Sequence, residues 1–225
     1  MTGWTLAIDT SAGTSIALLQ AGKLVASCEV ANNMKHAETI GVAIAQVLAE
    51  AQIRPNAVDK VVVGRGPAPY TGLRVGLAAG IMFSEAVAVP ALGVVSLDAI
   101  AMDALRALAV SGQAVSQDKP LLVTADARRS EVYWALYSGL SKFGAPVCFV
   151  GPAVSKPADL AAELESRGIE PHVTDLPLTA ASLGLVAEAH LLAGVDDSDL
   201  SPLYLRAPDA TMPKANQIFG KRVSS

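Results

Sequence analysis

Hydrophobic and polar positions fall into blocks along the chain, and two periods alternate between them. Trp4–Asp9 is a short apolar run ending in an acid, the form of a buried strand. Thr14–Leu19 and Lys23–Val30 flank the turn signal Gln20-Ala21-Gly22, so the opening predicts a three-strand meander. From Ala37 to Ala51 the apolar residues Ile40, Ile44, Val47, Leu48 and Ala51 recur at helical spacing, and Pro55 and Asn56 break that pattern. Lys60–Val63 carries three consecutive valines and predicts a strand buried on both faces. Gly64–Tyr70 reads as a loop and Thr71–Val87 as a second helix, stopped by Pro90. Ala91–Val95 predicts a short strand, and Ser96 the N-cap of a helix running to about Val110.

The stretch Gly112–Lys119 is polar and aperiodic, which predicts a boundary between an N-terminal lobe, 1–111, and a smaller C-terminal lobe, 112–225. A second round follows. Leu121–Asp126 is again an apolar strand ending in an acid, Glu131–Tyr137 and Val147–Val150 are further strands, and Pro157–Arg167 and Ala180–Ala193 are helices. The proline-rich stretch from Leu200 predicts an extended tail. Strands followed by α/β alternation, begun twice and shorter the second time, predict an α/β chain built as a duplicated lobe with mixed sheets.

Composition narrows the function classes. Of 225 residues 52% are hydrophobic, but 40 residues are Ala, leaving about a third as bulky core formers, enough for a core at this size. The net charge is −4, the pI about 5.4 and the aromatic fraction 4%, a poor basis for gripping nucleic acid alone. The tail from Arg206 to Ser225 is locally basic, with four Lys/Arg against one Asp. The longest uncharged stretch is 13 residues, short of the ~20 that cross a bilayer. With no charged segment leading into an apolar run at the start, the expected location is the cytoplasm. Cys28 and Cys148 show no Cys-x-x-Cys spacing and are expected to be small buried hydrophobes.

Candidate chemistry gathers at strand ends. Asp9, Thr10 and Ser11 supply a carboxylate and two hydroxyls that suit a metal–phosphate group, as does Asp126 in the second round; the ordinary alternative is a side-chain-stabilised turn. The loop after the valine strand lacks Gly-x-x-x-x-Gly-Lys spacing, and Pro67 and Pro69 remove N–H donors, so it predicts a rigid connection. Four residues after His36 stands Ile40, so the helix offers no metal-binding pair, and no Ser or Cys lies in a nucleophile-elbow sequence. Two series of small residues recur every four positions: Ala37, Gly41, Ala45 and Ala49, then Gly72, Gly76 and Gly80. Each predicts a smooth helical ridge for another backbone, either a partner's or that of the chain's own sheet.

Four ordered motifs carry a resemblance that covers most of the chain. They are Ala7-Ile-Asp-Thr-Ser11, Gly66-Pro-Ala-Pro-Tyr-Thr-Gly-Leu-Arg-Val-Gly76, Asp126-Ala-Arg-Arg-Ser-Glu-Val-Tyr133 and Pro202-Leu-Tyr-Leu-Arg-Ala-Pro-Asp209. Together they resemble the bacterial TsaB family, also called YeaZ. The second is similar to that family's Gly-Pro-Gly-Ser-Phe-Thr-Gly-Leu-Arg-Ile-Gly and departs from it at Ala68 and Pro69.

The resemblance implies a two-lobe, actin-like or sugar-kinase-like (ASKHA) fold with a shortened second lobe. It also implies a non-catalytic role beside a TsaD-like subunit that transfers threonylcarbamoyl to the tRNA adenosine next to the anticodon. TsaD carries a His-x-x-x-His metal motif where this chain has His36 and Ile40. Family members pair through their first two helices, which implies an interface at Ala37, Gly41, Ala45, Ala49, Gly72, Arg74, Gly76 and Gly80, with Asp9, Thr10, Ser11 and Asp126 as degenerate phosphate-loop positions. A TsaE-like ATPase is a further implied partner, and a homodimer is implied when the chain is alone. Contact with tRNA is then through the complex. No metal or cofactor is expected on this chain alone, with a nucleotide expected only at the partner interface. Two rivals stand beside this reading: an active small-molecule kinase of the same superfamily, and a metallopeptidase-like protein.

Overall fold

The computed structural model describes residues 3–30 and 36–206, with the side chains of His36, Ala37 and Tyr70 outside the described set. The first round comprises β1 (Trp4–Asp9), β2 (Thr14–Gln20), β3 (Lys23–Val30), α1 (His36–Glu50), β4 (Val58–Gly64), α2 (Tyr70–Val87), β5 (Ala91–Val94) and α3 (Ser96–Val110). The second comprises β6 (Leu121–Asp126), β7 (Val132–Leu140), β8 (Pro146–Ser155), α4 (Pro157–Ser166), β9 (His172–Val173) and α5 (Ala180–Ala193). The first sheet runs β3-β2-β1-β4-β5, and the second runs β8-β7-β6-β9. In each, the first three strands pair antiparallel and the fourth joins the first in parallel.

Alternation along the strands decides which helices cover which face. Leu6 and Ile8, with Ile16, Leu18, Val61 and Val63, pack on Ile40, Ile44 and Val47 of α1 and on Leu73 and Leu77 of α2. The opposite face presents Ala7, Ala17, Leu19 and Val62 to Ala99 and Met102 of α3 and to Leu183, Val186 and Ala187 of α5. Beyond α3, residues Leu121, Val123, Tyr133, Ala135 and Tyr137 of the second sheet cover Leu97, Ile100 and Leu105. The outer face of that sheet packs Trp134 and Leu136 on Leu160 and Leu164 of α4. The order of layers is therefore α1/α2, first sheet, α3/α5, second sheet, α4.

Residue 112 lies between the two sheets, yet α5 crosses back onto the first one. Its sequence Ala-Ala-Ser-Leu-Gly-Leu-Val-Ala-Glu-Ala-His-Leu-Leu-Ala is apolar nearly all round, as a helix buried between layers must be. At its start, the Ala180 N–H donates to Ser15 Oγ at 2.7 Å, fixing it to β2.

Several expectations need correction. Ser96 is not a cap: Val95 holds that position without a side-chain bond, and the Ser96 hydroxyl points elsewhere. Strand β8 runs past Val150 through Gly151-Pro152 to Ser155, which proline tolerates because β8 is an edge strand. The two-residue β9 has no period to read. Cys148 is exposed on that edge and Cys28 half-buried, so neither is a core residue.

The second glycine ridge also faces inward. A Cβ on Gly76 would collide with the Thr10 side chain, and one on Gly80 with Val63 Cγ1. Both glycines are buried, because α2 lies too close to the first sheet for any side chain there. Gly41 differs, since nothing lies within 4 Å of a Cβ built on it. Gly80→Ala is therefore expected to lower unfolding stability by about 1–3 kcal/mol despite alanine's better helix propensity. Gly41→Ala is expected to raise it by about 0.5–1 kcal/mol. Urea unfolding of the two variants checks both signs.

Candidate functional site

The end of β1 is a polar hub. Asp9 is only 1% exposed. Its Oδ2 accepts a 2.6 Å hydrogen bond from Ser96 Oγ, and its Oδ1 one of 2.6 Å from the Ser11 N–H. Ser96 Oγ also accepts from the Gly66 N–H at 3.1 Å and lies 2.9 Å from Ser11 Oγ. Ser96 has one proton, and it goes to Asp9, so Ser11 is the donor of that last bond. Burial raises the Asp9 carboxyl above its ordinary pKa of 3.8, and the bonds from Ser96 and Ser11 pull it partly back. Gly64 makes this possible, since a Cβ there would overlap both the Asp9 carboxylate and Ser96 Oγ.

Thr10 turns to the other side. Its Oγ1 donates to the Gly72 carbonyl at 2.8 Å and accepts from the Gly76 N–H at 3.1 Å. Those two groups are one i, i+4 pair of α2, so the hydroxyl sits across a helical turn and ties it to β1. Three consecutive residues thus fix two helices: Asp9 and Ser11 hold the start of α3, and Thr10 the first turns of α2.

The loop after β4 has few donors left. The Arg65 N–H goes to the Val94 carbonyl at 2.8 Å, the Gly66 N–H to Ser96, and Pro67 and Pro69 have none. The Arg65 side chain reaches outward, to Asp199 at 2.7 Å and to the Ser201 carbonyl at 2.9 Å. Residues 197–206 form a strap over this end of the first sheet. The Gly93 N–H donates to the Asp197 carbonyl and the Leu203 N–H to the Arg65 carbonyl. Arg74 of α2 donates to Tyr204 Oη at 2.7 Å and lies over its ring, and Arg206 pairs with Glu131. The stretch from Leu200 to Arg206 is therefore well tied, and the rest of the expected tail lies outside the described residues.

A cleft of about 250 Å³ separates Ser11, Ser96, Leu97 and Ile100 from Thr124 and Asp126 of β6 and Arg128 in the turn after it, with Leu178 before α5 also lining it. Asp126 is not part of the Asp9 network. It lies on the far wall, accepts from the Arg128 N–H at 2.8 Å and pairs with the Arg128 guanidinium at 3.4 Å. The turn behind it holds Arg128, Arg129 and Ser130 at φ values of 61°, 54° and 58°. Three successive non-glycine residues in the left-handed region cost roughly 1–2 kcal/mol each, and they turn Arg128 toward the cleft.

Of the predicted interface, Gly41, Ala45, Ala49 and Arg74 are exposed and Gly72 half-buried, whereas Gly76 and Gly80 face the sheet; Ala37 lies outside the described side chains. The outer faces of α1 and α2 hold two residues that glycine spacing did not single out, Val42 at 68% exposure and Met82 at 71%. On α2, Arg74, Ala78 and Met82 stand four apart on one exposed line. The hub residues missed from sequence are Ser96 and Gly64. The remaining histidines bind within the chain: His172 Nε2 lies 3.2 Å from the Ala114 carbonyl, and His190 Nδ1 2.9 Å from Asp197 Oδ2.

Sequence reading also missed Asp98, whose Oδ1 accepts 2.6 Å from Tyr137 Oη and so joins α3 to the second sheet. Burial pushes its carboxyl up to about 6 from 3.8, against the opposing pull of Tyr137. A raised folded-state pKa means that the stability tied to this group is full below about 3.8 and is lost as pH rises through about 6. Asp98→Asn removes that loss. Its melting temperature relative to the parent chain is expected to climb between pH 4 and pH 7, worth up to about 2–3 kcal/mol. A difference constant across that range contradicts this.

Residues 29–204 match the family model described as TsaD: tRNA N6-adenosine threonylcarbamoyltransferase. An uncharacterized protein of Mycobacterium tuberculosis is 36% identical over 181 residues, covering 78% of this chain and 77% of its own. The tRNA threonylcarbamoyladenosine biosynthesis protein TsaB of Haemophilus influenzae is 33% identical over 133 residues, 58% of this chain and 52% of that protein. Among solved structures, YeaZ from Pseudomonas aeruginosa superposes with a TM-score of 0.68 at 26% identity, covering 90% of this chain and 100% of that one. A crystal structure of an uncharacterized protein with similarity to peptidase YeaZ, from the same organism, gives 0.70 at 28% identity, covering 91% and 100%. The fold is thus YeaZ-like, mixed α/β with two sheets.

Proposed function

The chain belongs to the TsaB/YeaZ family of TsaD-like proteins, which takes part in tRNA threonylcarbamoyladenosine biosynthesis, and we propose that its part there is that of a non-catalytic subunit binding a TsaD-like paralogue. The observation that carries this reading is the pair of exposed apolar side chains Val42 and Met82, on adjacent helices beside the open Gly41. Large apolar residues at such exposure, with small neighbours Ala45, Ala49 and Ala78, suit a helical partner that covers them. The interface is therefore the outer line of α1 and α2 through Gly41, Val42, Ala45, Ala49, Arg74, Ala78 and Met82.

The β1 hub supports the same reading. A phosphate needs N–H and O–H donors aimed at it. Here the Ser11 and Ser96 protons run inward toward Asp9, leaving lone pairs on the cleft side, and the loop donors at Arg65 and Gly66 are already engaged. Such a cleft is ill suited to the kinase rival, and this chain binds no nucleotide or metal on its own. A nucleotide, if present, sits at the partner interface, and a TsaE-like ATPase and tRNA join through the complex. Without its partner the same helices pair two copies. The two sheets match in strand order, β3-β2-β1-β4 against β8-β7-β6-β9, with β5 having no counterpart among the described residues, and they represent duplicated ASKHA-type lobes, 1–111 and 112–225, the second shortened and lending α5 to the first.

Val42→Glu combined with Met82→Glu is expected to weaken binding to the TsaD-like subunit at least tenfold with the melting temperature unchanged. Titration calorimetry of the purified pair measures it. Undiminished binding by the folded double variant contradicts the reading.

A further inference from the structure

A second apolar opening lies far from α1 and α2. It is a groove of about 650 Å³ between α4 and the β6–β9 edge, walled by Leu122, Val132, Leu160, Leu164, Ile169 and Val173. Val173 is 71% exposed. Glu165 and Glu170 also line the groove, and no Lys, Arg or His does, so its rim is acidic.

We propose that the C-terminal segment 207–225 of the same chain docks in this groove, seating Ile218 and Phe219 among the apolar walls and setting Lys221 and Arg222 against Glu165 and Glu170. Three features of the chain favour that occupant. First, the described residues end at Arg206, which pairs with Glu131, the neighbour of the groove residue Val132. The segment therefore leaves from the inner face of the second sheet, where Leu205 packs, at the end of the sheet that carries Val132 of the groove. Second, Ile218 stands twelve positions after Arg206, a reach of up to about 40 Å if extended, so the groove is within range even after rounding the sheet end. Third, the segment holds Lys214, Lys221 and Arg222 against a single acid, Asp209, and carries its bulky apolar pair directly beside the last two bases. Charge and apolarity thus match the groove in both respects. The cleft at Ser11 is a poorer seat, being smaller and bearing Arg128 on its wall. The proposal stands independently of the partner reading, because it involves neither α1 nor α2.

The test is hydrogen exchange on the intact chain, comparing the parent sequence with Phe219→Asp. Residues 157–173 are expected to exchange at least tenfold faster in the variant. Glu165→Lys alone is expected to speed exchange there, and adding Lys221→Glu to restore part of the protection. Unchanged exchange of 157–173 in Phe219→Asp overturns the proposal. So does a change confined to residues 126–131, which would put the segment in the cleft. Protection that strengthens over a tenfold rise in protein concentration also overturns it, since the occupant is then a second copy.

Discussion

The Asp9 carboxylate ends a buried strand with almost no access to water, and a charge left unpaired there would cost several kcal/mol. The constraint propagates outward. Two hydrogen bonds of 2.6 Å satisfy the carboxylate, and one of them requires Ser96 at the first position of α3. Ser96 in turn takes the Gly66 N–H, which sets the loop after β4, and Gly64 must lack a side chain so that the three can meet. Thr10, the next residue, holds α2 so close to the sheet that Gly76 and Gly80 have no room for a Cβ. One strand end thus sets the placement of the helices on both faces of the first sheet.

That geometry bears on function through the direction of protons. A strand end that grips an anion points donors outward, whereas here the Thr10, Ser11 and Ser96 hydroxyl protons and the Arg65 and Gly66 N–H groups are spent on the protein itself. What remains available lies elsewhere: an apolar line along α1 and α2, an acidic-rimmed groove against α4, and a strained arginine turn at the cleft. Under the function proposed above, these are the surfaces left for macromolecular contact. The strap 197–206 joins them, since it touches Arg65, Arg74 and Glu131 in turn.

Much of the fold was legible in the chain. Strands that are apolar throughout, such as Lys60–Val63, and helices with a clean stripe, such as Ile40 to Leu48, announce themselves because burial alone decides them. The failures share a cause. Spacing by four marks one face of a helix without saying whether it meets sheet or solvent, and close packing on the sheet claims Gly76 and Gly80, which the resemblance implies for the interface. Ser96 matched a capping pattern, but a buried carboxylate 87 positions earlier competes more strongly for its hydroxyl. Asp9 and Asp126 look equivalent in sequence, each closing an apolar strand, and only the sheet arrangement separates a buried hub from an exposed turn. The exposed pair Val42 and Met82 carried no signal at all, since either residue fits a buried stripe equally well.

The claim that the β1 end is a structural hub is tested most directly by a double-mutant cycle between Asp9→Asn and Ser96→Ala, read by urea unfolding. If the two side chains hold the start of α3 through one shared hydrogen bond, the losses are non-additive, with a coupling of about 1–3 kcal/mol. Losses that add to within about 0.5 kcal/mol would mean that the pair does not act as one unit, and the account would fail at its centre.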